Sequence, residues 1–306
     1  MNFDDIHLFC LVVETESVSE AAKRKFISQP AASKKIQSLE SVFQANLFHR
    51  EKGKLILTSV GEILYDYAKE IIYLKENAER EMQYQLNLAQ KTIYIGASLT
   101  IGEYLLPKII YNFNKIYPLI HFSVSIGNTP QIINDLYNNK VDLALVDLAL
   151  VESPIDNDLI IKRFAEDQLI LLANDSNPLK FKNNITINDI RNEKLLWREK
   201  ESGTRKLIEN RLKKIDNNFI LKQNLILGSM QAIKTGIITG LGISFLPRIT
   251  VENELNLGLL HEIPIKELNI KRDFWLVKKH KRFKSQEEQT FEKFILTQAS
   301  DMLNNT

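Results

Sequence analysis

The stretch from Ser17 to Gly61 constrains the fold most, because it contains two short helical patterns separated by only a few residues. The first opens with the capping-box sequence SVSE, in which the Ser17 hydroxyl and the Glu20 carboxylate can satisfy free backbone N–H groups. The second opens at Ser28, since Ser is a favourable N-cap and a Pro two residues later is tolerated in the first turn. Two helices joined by so short a turn predict a helix-turn-helix.

The second of these helices has one apolar face and one polar face. Its apolar side chains recur at the spacing of a helical stripe, at Ala32, Ile36, Leu39 and Phe43. The start of the helix and its opposite face carry short polar or cationic residues, namely Ser28, Gln29, Pro30, Ser33, Lys34 and Gln37. In the major groove of DNA, Gln can pair with adenine and Lys with guanine or a phosphate. We therefore predict that these residues contact DNA.

Two alternating segments follow and predict a β-hairpin, the wing of a winged helix. They are Leu47–Arg50 and Lys54–Leu57, and the sequence EKG joins them. The hairpin would carry cations near its tip, and we predict phosphate contacts from Arg50, Lys52 and Lys54.

Charge favours DNA binding over the blander alternative, a small helical domain whose charged faces are only solvated. Residues 19–54 contain eight Lys or Arg and three acidic residues, whereas the whole chain has a formal net charge of only +2. A basic excess confined to one segment is what nucleic-acid binding requires. The charge distribution therefore agrees with the helical pattern.

The same residues carry a family resemblance. The run SVSEAAKRKFISQPAASKKIQSLESVFQANLFHREKGKLILTSVGEILYDYA resembles the N-terminal domain of the LysR-type transcriptional regulators. The resemblance implies a protein that reads DNA as a homodimer or homotetramer and responds to a small-molecule inducer. There are two departures: Gln44 stands where the family usually has Gly, and Val18 where it usually has Phe. A left-handed Gln44 would cost about 1 kcal/mol, which leaves the implied function unchanged.

A long helix is predicted after the wing. Thr58 and Ser59 can cap it, and no Pro or Gly occurs from Glu62 to Tyr94. Apolar residues recur there at alternating steps of three and four, as in a coiled-coil seam, at Leu64, Tyr67, Ile71, Leu74 and Ala78. We predict a dimer along this seam, and hence a DNA site that is an imperfect inverted repeat. The alternative is a helix packed on its own domain.

From Lys91 onward, predicted strands and helices alternate, which indicates a parallel sheet covered by helices on both faces. Two such sets of elements, between which the chain passes twice, predict a bilobal α/β domain. The crossings would fall near Ile161-Lys162-Arg163 and Pro264-Ile265-Lys266-Glu267. The family's effector domain has this periplasmic-binding-protein-like architecture. The predicted divisions are an all-α winged helix-turn-helix (1–58), a linker and dimerisation helix (59–90), and an effector-binding domain (91–306) with lobe I at 91–161 and 267–306 and lobe II at 162–266.

Four predicted strand-to-helix junctions carry small hydroxyl, amide or Gly residues. They comprise Ser98 and Thr100 in GASLTIGEYLLP, Asn128 and Thr129 in SIGNTP, Ser202 and Thr204 in REKESGTR, and Gly228 and Ser229 in LGSMQAIKTG. Each junction alone can be an ordinary helix cap. Together, at helix N-termini on both sides of a cleft, they favour a small anionic ligand, and we predict that these eight residues bind it. Thr100 should matter most, because it lies at the start of a helix whose dipole points into the cleft.

The resemblance adds to this hypothesis. The family places its inducer in the same cleft and uses the first two junctions most often. The GASLTIGEYLLP and SIGNTP stretches are similar to those of family members that govern cysteine synthesis and sulfite reduction. The resemblance therefore implies a sulfur-pathway metabolite or an inorganic anion as the effector.

An enzyme built on the same bilobal fold is the main rival class. The sequence has no G-x-x-x-x-G-K phosphate loop, no G-x-S-x-G elbow and no H-E-x-x-H pair. Glu103 and Asp147 could lie near the cleft, but Glu103 is interpreted as the capping-box partner of Thr100. We therefore predict no catalytic residues. A second rival, an exported solute-binding protein, would leave the first 90 residues unexplained.

Other features point to a chain without metal, cofactor or membrane partner. Cys10 lies in an apolar helical pattern and is interpreted as a core residue, and the five histidines show no ligand spacing. The sequence has no run of 18 apolar residues and no signal-peptide pattern at Met1, which predicts a cytoplasmic protein. The target genes, the direction of control, the number of subunits and the identity of the effector stay open.

Overall fold

The computed structural model describes residues 1–51, 54–86, 91–147, 158–200, 202–217, 223–280 and 285–304. The chain divides into two compact units, Met1–Gln90 and Lys91–Thr306. Within the described part of the chain, no helix is both long and apolar enough to cross a membrane.

The first unit is a winged helix-turn-helix followed by a long helix. Its elements are α1 (Phe3–Thr15), α2 (Val18–Arg24), α3 (Gln29–Phe43), β1 (Phe48–Glu51), β2 (Lys54–Leu57) and α4 (Ser59–Gln85). The predicted N-caps are confirmed: the Ser17 hydroxyl accepts the N–H of Glu20 at 3.3 Å, and that of Ser28 accepts the N–H of Ala31 at 3.4 Å. The other half of the box predicted at Ser17 does not form, because the Glu20 carboxylate lies near Lys23 and Arg24 instead. The predicted hairpin is confirmed as an antiparallel pair, β1 and β2.

Packing fixes α3 and the wing to one core. Phe9 of α1 is fully buried, and its ring lies 5.4 Å from that of Phe48 in the wing. The Glu40 carboxylate accepts the backbone N–H of Leu47 at 2.8 Å, which ties the end of α3 to the start of the hairpin. Gln44 is left-handed with φ 51°, as the departure from the usual Gly suggested.

Helix α4 differs from the prediction in length and in the direction of its apolar face. It ends at Gln85, and its 27 residues span about 40 Å. Leu64 and Ile71, two of the predicted seam residues, pack against the core of their own unit instead. The large apolar side chains that α4 leaves exposed are Val60, Ile63, Tyr67, Leu74 and Met82, and the predicted seam residue Ala78 is exposed as well. The alternative of a helix packed on its own domain is therefore correct for one face of α4.

The described strands of the second unit form a seven-stranded mixed sheet and a separate two-stranded parallel sheet, Lys194–Trp197 with Gln223–Ile226. Its strands are β3 (Thr92–Ser98), β4 (His121–Gly127), β5 (Leu143–Asp147), β6 (Leu159–Ala173), β7 (Lys194–Trp197), β8 (Gln223–Ile226), β9 (Ser244–Pro247), β10 (His261–Glu262) and β11 (Ile270–Lys279). Its helices are α5 (Leu106–Asn114), α6 (Thr129–Tyr137), α7 (Gly203–Ile215), α8 (Met230–Ile238), α9 (Glu252–Asn256) and α10 (Gln286–Asn304). A π-helical turn, Ile101–Leu105, precedes α5, and short 3-10 turns lie at Pro178–Phe181 and Arg248–Thr250.

The main sheet corrects the prediction of a parallel sheet. Its order is β10-β6-β11-β5-β3-β4, with β9 also paired to β6. Within it β3 pairs in parallel with β4 and β5, whereas β11 is antiparallel to both β5 and β6. The reason is topological: β6 carries the chain out of the first lobe and β11 brings it back, so these two strands must run in opposite directions.

The two long strands β6 and β11 form the hinge between the lobes. Phe164 and Phe274 belong to the core of lobe I, whereas Leu169 and Ile270 belong to the core of lobe II. The crossings were expected near 161–163 and 264–267. The chain changes lobe several residues after each of these points. Lobe I is completed by α10, whose Phe291 and Phe294 rings lie 5.0 and 5.3 Å from the ring of Phe113 in α5.

Candidate functional site

The predicted DNA-contacting face of α3 is exposed. Ser28, Gln29, Pro30, Lys34 and Gln37 are exposed, and Ser33 is half-buried. The Gln29 side-chain amide donates to the Ser33 hydroxyl at 3.0 Å, one helical turn away, which orients the amide. Both side chains therefore lie on one surface, as the spacing predicted.

The structure separates the cations of this unit into paired and unpaired ones. Lys25 and Lys35 form ion pairs with Asp4 and Asp5 of α1. Lys34 and Arg50, by contrast, are exposed and form no ion pair within the described residues. Lys54 is in β2, but its side chain and the whole of Lys52 lie outside the described part of the chain, so those two phosphate contacts stay predictions.

A cavity of about 270 Å³ lies between the two lobes of the second unit. Six of the eight predicted effector residues line it: Ser98, Thr100, Asn128, Thr129, Ser202 and Thr204. Gly228 and Ser229 are not among its described lining residues. The Ser229 hydroxyl instead caps α8 by accepting the N–H of Ala232 at 3.3 Å, and Met230 lines the cavity beside it.

Two of the junctions are helix caps as well as cavity walls. The Asn128 side-chain oxygen accepts the N–H of Gln131 at 2.9 Å, and the Ser202 hydroxyl accepts the N–H of Arg205 at 3.4 Å. The Ser98 hydroxyl is buried and lacks a hydrogen-bond partner within the described structure. It is therefore the lining hydroxyl whose hydrogen-bonding capacity is least used.

Thr100 does not cap a helix, which corrects the capping box predicted with Glu103. The chain is already helical from Leu99, the Thr100 hydroxyl makes no capping bond, and Glu103 is exposed. The physical reason is a buried cation: Arg272 of β11 donates from Nη2 to the Thr100 hydroxyl at 3.0 Å. This contact holds the Thr100 side chain at the wall of the cavity.

Arg272 is the centre of the site, and sequence reasoning missed it. Its side chain is only 1% exposed. Its Nε and Nη2 donate to Asp167 at 3.0 and 2.8 Å, and its Nη1 donates to Asp147 at 2.7 Å and to the Thr204 hydroxyl at 3.0 Å. Asp147 and Thr100 belong to lobe I and Thr204 to lobe II, so one guanidinium joins both lobes beneath the cavity.

The network sets which groups can face a ligand. Because the oxygens of Thr100 and Thr204 accept from Arg272, their protons stay available to donate elsewhere. The Thr129 hydroxyl donates to the Asp147 carboxylate at 2.7 Å. Burial raises the pKa of the Asp167 carboxyl, an effect that Arg272 reduces but does not cancel.

Further charges line the cavity. Arg198 and Lys206 are its described cations, and Glu199 joins Asp147 as an anion. Arg198 donates from Nε and Nη2 to the two oxygens of Glu199, both at 2.8 Å. Burial works against ionisation of Glu199, but the hydrogen bonds and charge of Arg198, a hydrogen bond from the Glu199 backbone and the charge of Arg205 together outweigh it and hold the pKa of Glu199 below its usual value. Polar groups and paired charges share the lining with the apolar Leu99, Pro130, Ile133 and Met230, a combination usual for a small-metabolite site.

Known proteins share both parts of the chain. The family described as the LysR substrate binding domain matches residues 87–300, and the bacterial regulatory helix-turn-helix protein, lysR family, matches residues 3–62. The HTH-type transcriptional regulator CysL of Bacillus subtilis (strain 168) is 33% identical over 276 residues, which cover 89% of each chain. A probable RuBisCO transcriptional regulator of Emiliania huxleyi is 32% identical over 295 residues, covering 96% of this chain and 93% of its own.

A solved structure agrees with these relatives. The CcmR regulatory domain of Synechocystis PCC6803, in complex with 2-PG, is 30% identical with a TM-score of 0.60, and the match covers 70% of this chain and 99% of that domain. The family resemblance noted from the helix-turn-helix residues is thus confirmed along both units. The chain belongs to the LysR family of transcriptional regulators.

Proposed function

We propose that the protein reads a specific double-stranded DNA site through α3 and the wing, and that a small anion in the cavity between the lobes controls it. The exposed Gln29, Ser33 and Lys34 support the DNA part, because they combine base-reading groups with an unpaired cation on one helix face. A regulator of this kind acts where the chromosome is, in the cytoplasm.

We also propose that two chains associate through α4, with a tetramer as the larger alternative. The exposed apolar stripe of α4, from Val60 through Ile63, Tyr67 and Leu74 to Met82, supports this proposal. These positions keep the spacing of a helix-packing face, whereas Leu64 and Ile71 are already covered. A two-fold dimer would read an imperfect inverted repeat.

One observation carries the effector proposal. The Thr100 and Thr204 hydroxyls accept from Arg272, which leaves each proton to donate to a ligand oxygen. A ligand with anionic oxygens would receive those donors together with the unpartnered Ser98 hydroxyl. The likeness of the junction sequences to regulators of cysteine synthesis makes sulfate and thiosulfate the first probes, and the similarity to CcmR adds 2-PG.

Replacing Thr100 with Val tests the proposal. The variant keeps the shape of the side chain and removes the hydroxyl, so anion binding should fall roughly tenfold or more, the loss expected for one hydrogen bond to a charged group. Thr100→Ser keeps the hydroxyl and is the matched control. Isothermal titration of the full chain with sulfate, thiosulfate and 2-PG measures binding, and gel shifts measure DNA affinity.

The expected pattern is specific. Thr100→Val should lose binding of the anion that wild type binds, Thr100→Ser should retain it, and all three proteins should bind DNA equally. If Thr100→Val binds every anion as wild type does, the effector site lies elsewhere or the ligand is of another kind.

A further inference from the structure

Arg198 is the one guanidinium among the described residues that line the cavity, and its hydrogen-bonding edge is already occupied. The two parallel bonds to Glu199 are the geometry by which Arg holds the carboxylate or phosphate of a ligand. Glu199 also lines the cavity. The carboxylate of Glu199 thus lies where a ligand oxyanion would bind.

The backbone around this pair is held independently of it. The carbonyl oxygen of Arg198 accepts from Nη1 of Arg205 at 2.9 Å, and the carbonyl oxygen of Glu199 accepts the N–H of Ser202 at 3.1 Å. Because both residues are anchored through their main chain, the ion pair can open by side-chain rotation alone.

Exposure shows which partner would leave. The Arg198 side chain is 13% exposed, whereas that of Glu199 is 37% exposed. A released Glu199 carboxylate can therefore be solvated by water, and the guanidinium would stay in the wall of the cavity. Separating the pair costs little when one partner gains water and the other gains a new anion.

We propose that Glu199 is an internal competitor of the effector, which binds by displacing the Glu199 carboxylate from Arg198. This inference rests on the proposed effector site and names its ligand class, an oxyanion that presents two oxygens to one guanidinium. Lys206, which also lines the cavity, forms no ion pair within the described residues and would add a second cation.

The competitor also sets how strongly a ligand must bind. Because Glu199 is a carboxylate, exchange for a monocarboxylate replaces one such pair with a similar one and gains little. A dianion such as sulfate or a phosphate gains the additional attraction of Lys206. The tethered carboxylate lowers the affinity for every such anion by the same factor, so only an anion with the additional attraction of Lys206, a doubly charged oxyanion, still binds well.

Two substitutions of Glu199 test the inference in the full chain, with sulfate and acetate as probes. If the pair is closed in about nine molecules of ten, Glu199→Gln should tighten sulfate binding about tenfold, because the competent fraction rises towards one. Acetate binding should tighten by the same factor, because the competent fraction rises equally for both anions. Glu199→Asp keeps the charge on a shorter side chain that cannot reach Arg198 at two points, and it should also tighten sulfate binding.

A matched control comes from the neighbouring ion pair. Glu209 is also 37% exposed and pairs with Arg205 at 2.8 Å, but it is not among the described lining residues of the cavity. Glu209→Gln makes the same change of charge and should leave the affinity for sulfate within about twofold of wild type. Unfolding followed by tryptophan fluorescence confirms that each variant is folded.

The outcomes separate this inference from the effector proposal. If Thr100→Val loses sulfate binding while both Glu199 variants match wild type, the cavity is the effector site and Glu199 is not a competitor. Equal tightening by Glu199→Gln and Glu209→Gln, or no binding of sulfate by wild type and Glu199→Gln alike, also overturns the inference. Tightening by Glu199→Gln and Glu199→Asp, without tightening by Glu209→Gln and with loss of binding in Thr100→Val, supports it.

Discussion

Arg272→Met should destabilise the effector-binding unit by about 3–5 kcal/mol, the cost of removing one partner from a buried ion pair. The variant retains an apolar side chain of similar length, so the loss comes from electrostatics and hydrogen bonds and not from a new cavity. Asp167 and Asp147 would stay buried or half-buried opposite each other without the guanidinium that both now contact. For a unit of this size the midpoint of thermal unfolding should fall by roughly 6–20 °C.

The chain offers a selective probe for this measurement. Its two tryptophans, Trp197 and Trp275, both lie in the second unit, so their fluorescence in urea follows that unit within the full chain. Lys271→Met removes the neighbouring cation of β11, which pairs with the exposed Glu166, and should cost less than about 1 kcal/mol. The comparison separates the effect of burial from that of charge.

A second substitution tests the cause. Asp167→Asn, added to Arg272→Met, removes one of the uncompensated carboxylates and should recover a substantial part of the lost stability. A loss below 1 kcal/mol for Arg272→Met, or no recovery in the double variant, would show that Arg272 does not compensate the buried acids.

Three further outcomes follow from other parts of the structure. Gln29→Ala should weaken binding to a specific DNA site by about 1–3 kcal/mol and leave binding to random DNA unaffected. Lys34→Ala should weaken binding to the specific site and also reduce the salt dependence of binding. Gel shifts at several salt concentrations measure both effects, and equal losses on specific and random DNA for Gln29→Ala contradict base reading. Tyr67→Asp with Leu74→Asp should convert the proposed α4 dimer to a monomer in sedimentation, and a variant that still dimerises places the interface elsewhere. Hydrogen bonds from Lys182 and Thr186 lower the pKa of Asp189 to about 2, so its contribution to stability is present above about pH 4 and is lost as the pH falls towards 2. In Asp189→Asn the urea concentration at half-unfolding should therefore vary less with pH over that range than in wild type. A pH profile equal to that of wild type contradicts the assignment.

Local signals in the sequence predicted most of the elements because their physical causes are local. Ser17, Ser28, Asn128, Ser202 and Ser229 each cap the helix that the pattern predicted, since a cap needs only residues within three or four positions. The strands and the hairpin follow from alternation over a few residues in the same way.

The parts that were missed depend on distant residues. Arg272 looks like one cation in a charged strand, and its partner Thr100 is 172 positions away, so no spacing could reveal the contact. The same contact explains why the capping box of Thr100 and Glu103 is wrong. In α4 the apolar repeat was visible, but only tertiary packing shows that Leu64 and Ile71 face their own core while Tyr67 and Leu74 do not.

Because α10 lies at the far end of the chain, the two units can finish folding at different times during translation. Phe291 and Phe294 of α10 pack against Phe113, so the core of lobe I stays unfinished until the ribosome has made the far end of the chain. At about 5–20 residues per second, translation from Asn114 to Asn304 takes roughly 10–40 s. During this time the apolar surface of lobe I stays exposed and can bind chaperones. Unit Met1–Gln90 is complete before that interval begins. We therefore expect a chain cut short before α10 to keep the fold of its first unit and to lose the closed core of lobe I.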